Sequence, residues 1–303
     1  MAFSIQDLRG SMPPLVVPFR GGNVDFKVQS RLIESVLAGG SHGIVVNGTT
    51  GEPTSLNVNE RKQLVENAVK TVAGRVPVVA ATGGQSFAET VELTQSAAAA
   101  GASAVLVVTP YFIKPPTRGL IEYYEAIARL TPLPLLIYHI PGRSGVSMPP
   151  AAIVEAAARA PTIVGVKHAS TDLAFVTELL TLRRDFRVFA GLEDLSFPMM
   201  TVGAVGLMNA AGNVVPRRVV DLAEATAAGE MGRARELHYE LFRLNQAIFW
   251  DTNPIPLKYM MKRLGLLENN EHRLPMCAPP PELMRRLDEL LEEMRLIPKR
   301  SAA

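Results

Sequence analysis

Ile163-Val164-Gly165-Val166-Lys167-His168-Ala169-Ser170 carries a short apolar, β-branched run straight into a lysine. A strand with one wet face would alternate apolar and polar residues. This one is apolar on both faces, as a parallel strand covered on both sides is. Working outward from it, seven more such runs recur: Pro14 to Pro18, Gly43 to Val46, Val76 to Ala80, Ala104 to Val108, Leu135 to Tyr138, Val188 to Ala190 and Ala204 to Met208. The spacing of about 20 to 30 residues leaves room for a loop and a helix each time. Helix starts are marked as well. Asn57 with Glu60 and Ser86 with Glu89 read as capping boxes, and Pro149-Pro150 suits a first helical turn. The alternation predicts an α/β protein, a closed (β/α)8 TIM barrel over residues 1–215. An open doubly wound sheet is the rival, but no G-x-G-x-x-G follows the first run. From residue 216 to 303 no strand pattern remains, and the chain reads as a C-terminal helical extension with helices over Pro216 to Gly229, Glu230 to Trp250, Pro254 to Leu264 and Pro280 to Arg295.

With 303 residues, 48% of them hydrophobic, the chain can bury a core of that size. The 31 basic and 29 acidic residues leave a net charge of +2 without a one-signed cluster, which gives no reason to expect nucleic acid or a membrane surface as partner. Cys277 is the lone cysteine, so neither a disulfide framework nor a thiolate metal site is available. The five histidines are scattered, never at metal-binding helical spacing, and no metal or other cofactor is expected. The start, Met-Ala-Phe-Ser-Ile-Gln-Asp, lacks the basic and apolar regions of a signal peptide, and no apolar run approaches the ~18 residues of a membrane span. The expectation is a cytoplasmic protein.

In a (β/α)8 barrel the chemistry gathers where strands end and the following loops begin. After the second strand comes Asn47-Gly48-Thr49-Thr50-Gly51-Glu52, whose glycines, exposed N–H groups and hydroxyls can hold a carboxylate. By itself it reads as well as an ordinary glycine turn. The fifth strand closes on Tyr138 and runs into His139-Ile140-Pro141-Gly142-Arg143-Ser144-Gly145. Tyr138 can pass protons at the mouth or sit as a satisfied buried phenol, and Arg143 can grip a carboxylate or simply face water. Lys167 admits two readings. Its ammonium could snorkel to water, or desolvation could favour the free amine, a nucleophile toward ketones. The iminium so formed is an electron sink that turns the neighbouring carbon into an enamine nucleophile.

Taken together, Gly48-Thr49-Thr50-Gly51-Glu52, Tyr138 with Pro141-Gly142-Arg143-Ser144-Gly145, and Gly165-Val166-Lys167 resemble the signatures of the dihydrodipicolinate synthase and N-acetylneuraminate lyase family. The resemblance spans essentially the whole chain, including Pro13 to Phe19, Val108-Thr109-Pro110-Tyr111 and Asn253-Pro254-Ile255-Pro256-Leu257-Lys258. It implies a class I aldolase or lyase in which Lys167 forms an imine with pyruvate and Tyr138 shuttles protons. Thr49 and Thr50 bind the pyruvate carboxylate, with the Thr50 hydroxyl as a further relay, and Arg143 meets a carboxylate on the second substrate, an aldehyde. Gly191 and Met208 join the substrate-binding positions. A homo-oligomer, dimer or tetramer, is implied, with Tyr111 and Phe112 near the subunit interface.

The chain departs from that family in places. Phe112 stands where synthases place a tyrosine donated into the neighbouring subunit's site, and Tyr111 matches the tyrosine before it. His139 and His168 replace an asparagine and a glutamate, Gly191-Leu192-Glu193 replaces a Gly-Asp-Asp-like turn, and Asn209 replaces a small residue. Placed at the mouth, these would alter the second substrate. Asp251-Thr252-Asn253-Pro254 and Gly40-Ser41-His42 are similar to a dihydroxyheptenedioate aldolase branch, and that is the leading expectation. The alternatives are 4-hydroxy-tetrahydrodipicolinate synthase, using aspartate semialdehyde in lysine biosynthesis, and a retired keto-acid-binding barrel. At the family's effector site for lysine, Glu89 and Tyr111 match, but Arg61 stands where histidine is usual and Pro53 where a small polar residue is usual.

Overall fold

A computed structural model describes residues 3–299. Eight parallel strands form one sheet: β1 (Gly10–Ser11), β2 (Ile44–Val46), β3 (Val78–Ala81), β4 (Ala104–Val108), β5 (Leu135–His139), β6 (Ile163–His168), β7 (Arg187–Ala190) and β8 (Gly206–Leu207). The sheet closes on itself. β1 pairs with β8, and on its other side the Pro14–Val45 bridge, Leu15 N–H to the Val45 carbonyl (2.9 Å) and Val45 N–H to the Pro13 carbonyl (3.0 Å) join β2. The first ladder strand is therefore Gly10–Ser11 and not the Pro14 to Pro18 run. Pro13, Pro14 and Pro18 have no N–H to give a ladder, so that segment contributes only a bridge.

Helices fill the intervals: α1 (Phe26–Ala38), α2 (Val58–Val72), α3 (Phe87–Ala99), α4 (Thr117–Ala128), α5 (Pro150–Arg159), α6 (Leu173–Leu182), α7 (Ser196–Thr201) and α8 (Pro216–Ala227). Asn57 and Glu60 make the expected capping box. At α3 Ser86 caps Glu89 N–H, but the Glu89 carboxylate turns away to Arg61, so the box is half made. Because α8 follows β8 and packs against β1, we assign it to the barrel and begin the extension after it, not at residue 216. The extension holds α9 (Met231–Ala247), α10 (Ile255–Arg263) and α11 (Pro281–Glu293). Among the described residues no helix is long and apolar enough to cross a membrane.

The core has two layers. Strand residues such as Ile44, Val105, Ile137 and Val188 pack outward under the helices, while Met12, Val45, Leu106, Leu136 and Phe189 fill the barrel interior. One irregularity decides the site. Leu135 pairs with Ile163, but Leu136 pairs with Gly165, so Val164 is an extra residue in β6. Side chains in a strand alternate, and a one-residue bulge flips the phase of all that follow. Val164 faces inward and Val166 outward, which returns Lys167 to the interior beside Tyr138 and sends His168 out. Gly165 allows the bulge. A Cβ there would stand 2.2 Å from the Arg187 carbonyl oxygen and 2.7 Å from Leu136 Cδ2.

Candidate active site

Tyr138 and Lys167 are register partners at the C-terminal ends of β5 and β6. Both are buried, and the Lys167 Nζ lies 4.4 Å from the Tyr138 ring centroid. The Tyr138 phenol oxygen is 3.1 Å from the Thr49 hydroxyl, either of which can donate. Thr50, cast from the sequence as the relay hydroxyl, is not the partner. Its Oγ1 is buried and accepts from Asn253 Nδ2 at 3.0 Å, so the hydroxyl that meets Tyr138 is that of Thr49. The two threonines belong to one tight turn, Thr49–Gly51, and their side chains diverge within it.

That turn is held from far along the chain. Glu52, with φ at +51°, is fully buried and pairs with Lys258 of α10 at 2.9 Å, while His272 Nδ1 lies 3.4 Å from its other oxygen. Breaking such a buried pair leaves one charge stranded, at a cost of about 3–5 kcal/mol. The extension thus braces the Thr49–Glu52 turn through Asn253, Lys258 and His272, which sequence periodicity gave no reason to join to it.

Thr49, Tyr111, Tyr138 and Arg143 line one cleft of about 630 Å³, which continues past Arg61 and Glu89. Arg143 is exposed on its rim, in the short helical turn Pro141–Ser144. Ser144 ties that turn down, its hydroxyl donating to the Ile140 carbonyl (3.0 Å) and accepting from Thr109 (3.2 Å). Thr50, Lys167, Gly191 and Met208 are not among the residues on the cleft wall. Met208 packs in the barrel interior with Tyr138, and Gly191 lies against Ala169, where a Cβ would come within 2.7 Å of the Ala169 Cβ. Phe112 stands apart, 82% exposed with φ at +76°. Among the described residues no hydrogen bond joins Tyr111 to Thr49 or Tyr138 of the same chain.

The other departures do not border the mouth. His139 and His168 point outward, stacked on Phe175 of α6. Asn209 is buried, its Nδ2 donating to the Ser196 hydroxyl at 2.7 Å. Glu193 does belong to the site's surroundings. It is buried, one oxygen accepts from Ala210 N–H at 2.6 Å and, among the described residues, the other has no partner. Burial pushes its carboxyl up to about 7, against the pull of the Ala210 N–H and of the nearby Lys167 charge.

At the far end of the cleft Arg61 is 4% exposed, bonded to Glu89 (3.1 Å) and to the carbonyls of Ala81 and Gly83 (both 3.2 Å). Glu89 is thereby spent on Arg61 and a guanidinium fills the space. We expect millimolar lysine to inhibit this protein weakly or not at all, because the resident cation repels an ammonium ligand. Strong inhibition in a pyruvate-dependent assay would refute this.

A buried lysine over a phenol, with a hydroxyl and an exposed arginine at a barrel mouth, is the equipment of a class I aldolase or lyase. The sequence profile of the Dihydrodipicolinate synthetase family matches residues 7–294. A 4-hydroxy-tetrahydrodipicolinate synthase of Thermus thermophilus is 48% identical over 297 residues, covering 97% of this chain and 99% of that protein. That of Aquifex aeolicus is 39% identical over 289 residues, covering 95% and 98%. The crystal structure of dihydrodipicolinate synthase from Aquifex aeolicus superposes with a TM-score of 0.93 at 39% identity, over 95% of this chain and 98% of that one. A structure described as a monomeric dihydrodipicolinate synthase variant gives 0.92 at 34% identity, over 96% and 98%. The chain belongs to the dihydrodipicolinate synthetase family and is a lyase of the class I type.

Proposed function

We propose that the protein is a 4-hydroxy-tetrahydrodipicolinate synthase, condensing pyruvate with aspartate semialdehyde. The observation that carries the reading is the Tyr138 phenol, which reaches the Thr49 hydroxyl on one side and stands over the Lys167 amine on the other. The 48% identity to synthases over nearly the whole length of both chains favours this substrate over the dihydroxyheptenedioate-type aldol expected from the sequence. The departures that had favoured the aldolase lose their force, since His139, His168 and Asn209 are bonded away from the cleft. Phe112 and Glu193 remain, as do the Asp251-Thr252-Asn253-Pro254 and Gly40-Ser41-His42 stretches.

In this reading the Lys167 amine adds to the keto carbon of pyruvate and expels water, giving an iminium. A methyl proton leaves and the enamine carbon attacks the aldehyde carbon of the second substrate, whose oxygen takes a proton from Tyr138, resupplied through Thr49. The amine of aspartate semialdehyde then displaces Lys167 and closes the ring, so one water is lost overall. Arg143 on the rim holds the aldehyde's carboxylate. We place Phe112 against a second copy of the chain, as the family resemblance implies, in a dimer or tetramer.

The test is steady-state kinetics with pyruvate and, in turn, aspartate and succinate semialdehydes. Faster turnover of succinate semialdehyde would overturn the synthase reading in favour of the aldolase. Within the same assay Phe112→Tyr is expected to raise turnover of aspartate semialdehyde by up to about tenfold, roughly 1.4 kcal/mol, by restoring a phenol to the relay. The gain falls on kcat and not on pyruvate KM, since the carboxylate contacts are untouched. No change in kcat would remove position 112 from the relay.

A further inference from the structure

His139 and His168 immediately follow Tyr138 and Lys167 and are paired in the same register, the last pair of the β5–β6 ladder. Their side chains meet on the outer face of the barrel. His139 Nδ1 and His168 Nδ1 are 3.0 Å apart, and both rings lie nearly parallel to Phe175, at 4.6 and 4.1 Å between centroids.

The protons of this pair are pinned from both ends. Met148 N–H donates to His139 Nε2 at 3.3 Å, and a backbone amide can only donate, so Nε2 is an acceptor and the His139 proton sits on Nδ1. The Ser147 hydroxyl, 3.2 Å from the same nitrogen, donates too. At the other end His168 Nε2 faces the Asp172 carbonyl at 3.1 Å, and a carbonyl can only accept, so Nε2 carries the His168 proton and Nδ1 is bare. One proton is left between the two Nδ1 atoms, donated by His139 and accepted by His168. The chain of bonds is complete only when both rings are neutral. Burial, with the neighbouring His168, pushes His139 down to about 4, and burial pushes His168 down as well, while Asp172 pulls both the other way.

We propose that His139 and His168 are a positioning pair, a neutral clasp that ties the catalytic ends of β5 and β6 together and so sets the Tyr138 phenol over the Lys167 amine. Beyond this pair β5 turns into the Arg143 loop and β6 into the approach to α6, and the last backbone bond between the two strands is Ala169 N–H to the His139 carbonyl (2.9 Å), just past the reacting groups. The rings continue the connection by one more bond. They touch neither cleft nor substrate, and act through the side chains beside them. The inference rests on the imine chemistry proposed above.

The experiment compares wild type with His168→Leu, which deletes the acceptor, and His168→Asn, whose Oδ1 takes the place of Nδ1. Turnover is measured with pyruvate and the semialdehyde that wild type uses faster, alongside borohydride trapping of pyruvate on Lys167. His168→Leu is expected to lose about tenfold to a hundredfold in kcat, the scale of a small misplacement of reacting groups, with little change in pyruvate KM. His168→Asn recovers most of that loss, and His139→Leu/His168→Leu loses less than the sum of the two single losses, since the bond between the rings is broken only once while the outer bonds to Met148, Ser147 and Asp172 are lost separately. Should His168→Leu not fold, His139→Leu takes its place with the same expectations. Unchanged kcat, or His168→Asn as poor as His168→Leu, overturns the clasp while trapping in wild type leaves the imine reading standing. Failure of wild type to trap pyruvate overturns both.

Discussion

Lys167→Ala, reduced with borohydride in the presence of pyruvate, is expected to gain no mass, and its turnover to fall on the order of 10⁵-fold, as when other covalent catalysts lose their nucleophile. The argument is positional. Lys167 is 3% exposed at the end of β6 and is brought there by the Val164 bulge. Among the described residues the other deeply buried lysine, Lys258, is engaged by Glu52 and the Glu271 carbonyl. A second amine is thus not at hand to take over. The fold should survive, because removing a lysine amine from a buried setting relieves a desolvation cost that offsets the lost stem packing. The check is mass spectrometry of the reduced protein together with circular dichroism. Pyruvate trapped as readily in the variant as in wild type would put the imine on a different residue.

Tyr138→Phe is expected to lower kcat by about 10²–10⁴-fold, the usual worth of a general acid or base. The ring stays, so the contact beneath the Lys167 amine is kept, and among the described residues the one bond lost is that to Thr49, worth about 1 kcal/mol of stability. Imine formation should slow but remain detectable, which separates this variant from Lys167→Ala. Steady-state kinetics and the time course of borohydride trapping supply the measurement. A variant within a few-fold of wild type in kcat would mean that the proton travels by another route.

Much of this was legible in the sequence, for identifiable reasons. Strands buried on both faces cannot alternate, so the apolar runs from Gly43 onward all overlap strands, and the four C-terminal helices begin within a residue or two of their expected starts. The first strand was misplaced because Pro14 to Pro18 has the composition of a strand without the N–H groups of one. The expected placement of Tyr138 and Lys167 at strand ends and of Arg143 on the rim matches the structure, since position there follows from the strand pattern. The site was not legible where orientation decides. Thr49 and Thr50 are adjacent and chemically identical, and only the turn shows which hydroxyl meets the phenol. The outward turn of His139 follows from strand alternation, but that of His168 depends on a bulge of which Gly165 was the sole sign. Asn253 and Lys258 lie some 200 residues from the loop that they brace, a separation no local pattern spans.

The extra residue in β6 also says something about how this chain can vary. Along a strand, substitution changes one side chain, whereas loss or gain of a residue changes the parity of every one beyond it. Keep Val164 in the ladder without the bulge and the strand would read straight through, presenting His168 to the barrel and exporting the amine to the packed outer face beneath α6. Lys167, the amine of the proposed chemistry, is in effect addressed by an even-or-odd count from the start of its strand. The apolar side chains around it can be exchanged without changing that count, yet a shift of one in frame would take the amine out of the interior while leaving the composition almost unchanged.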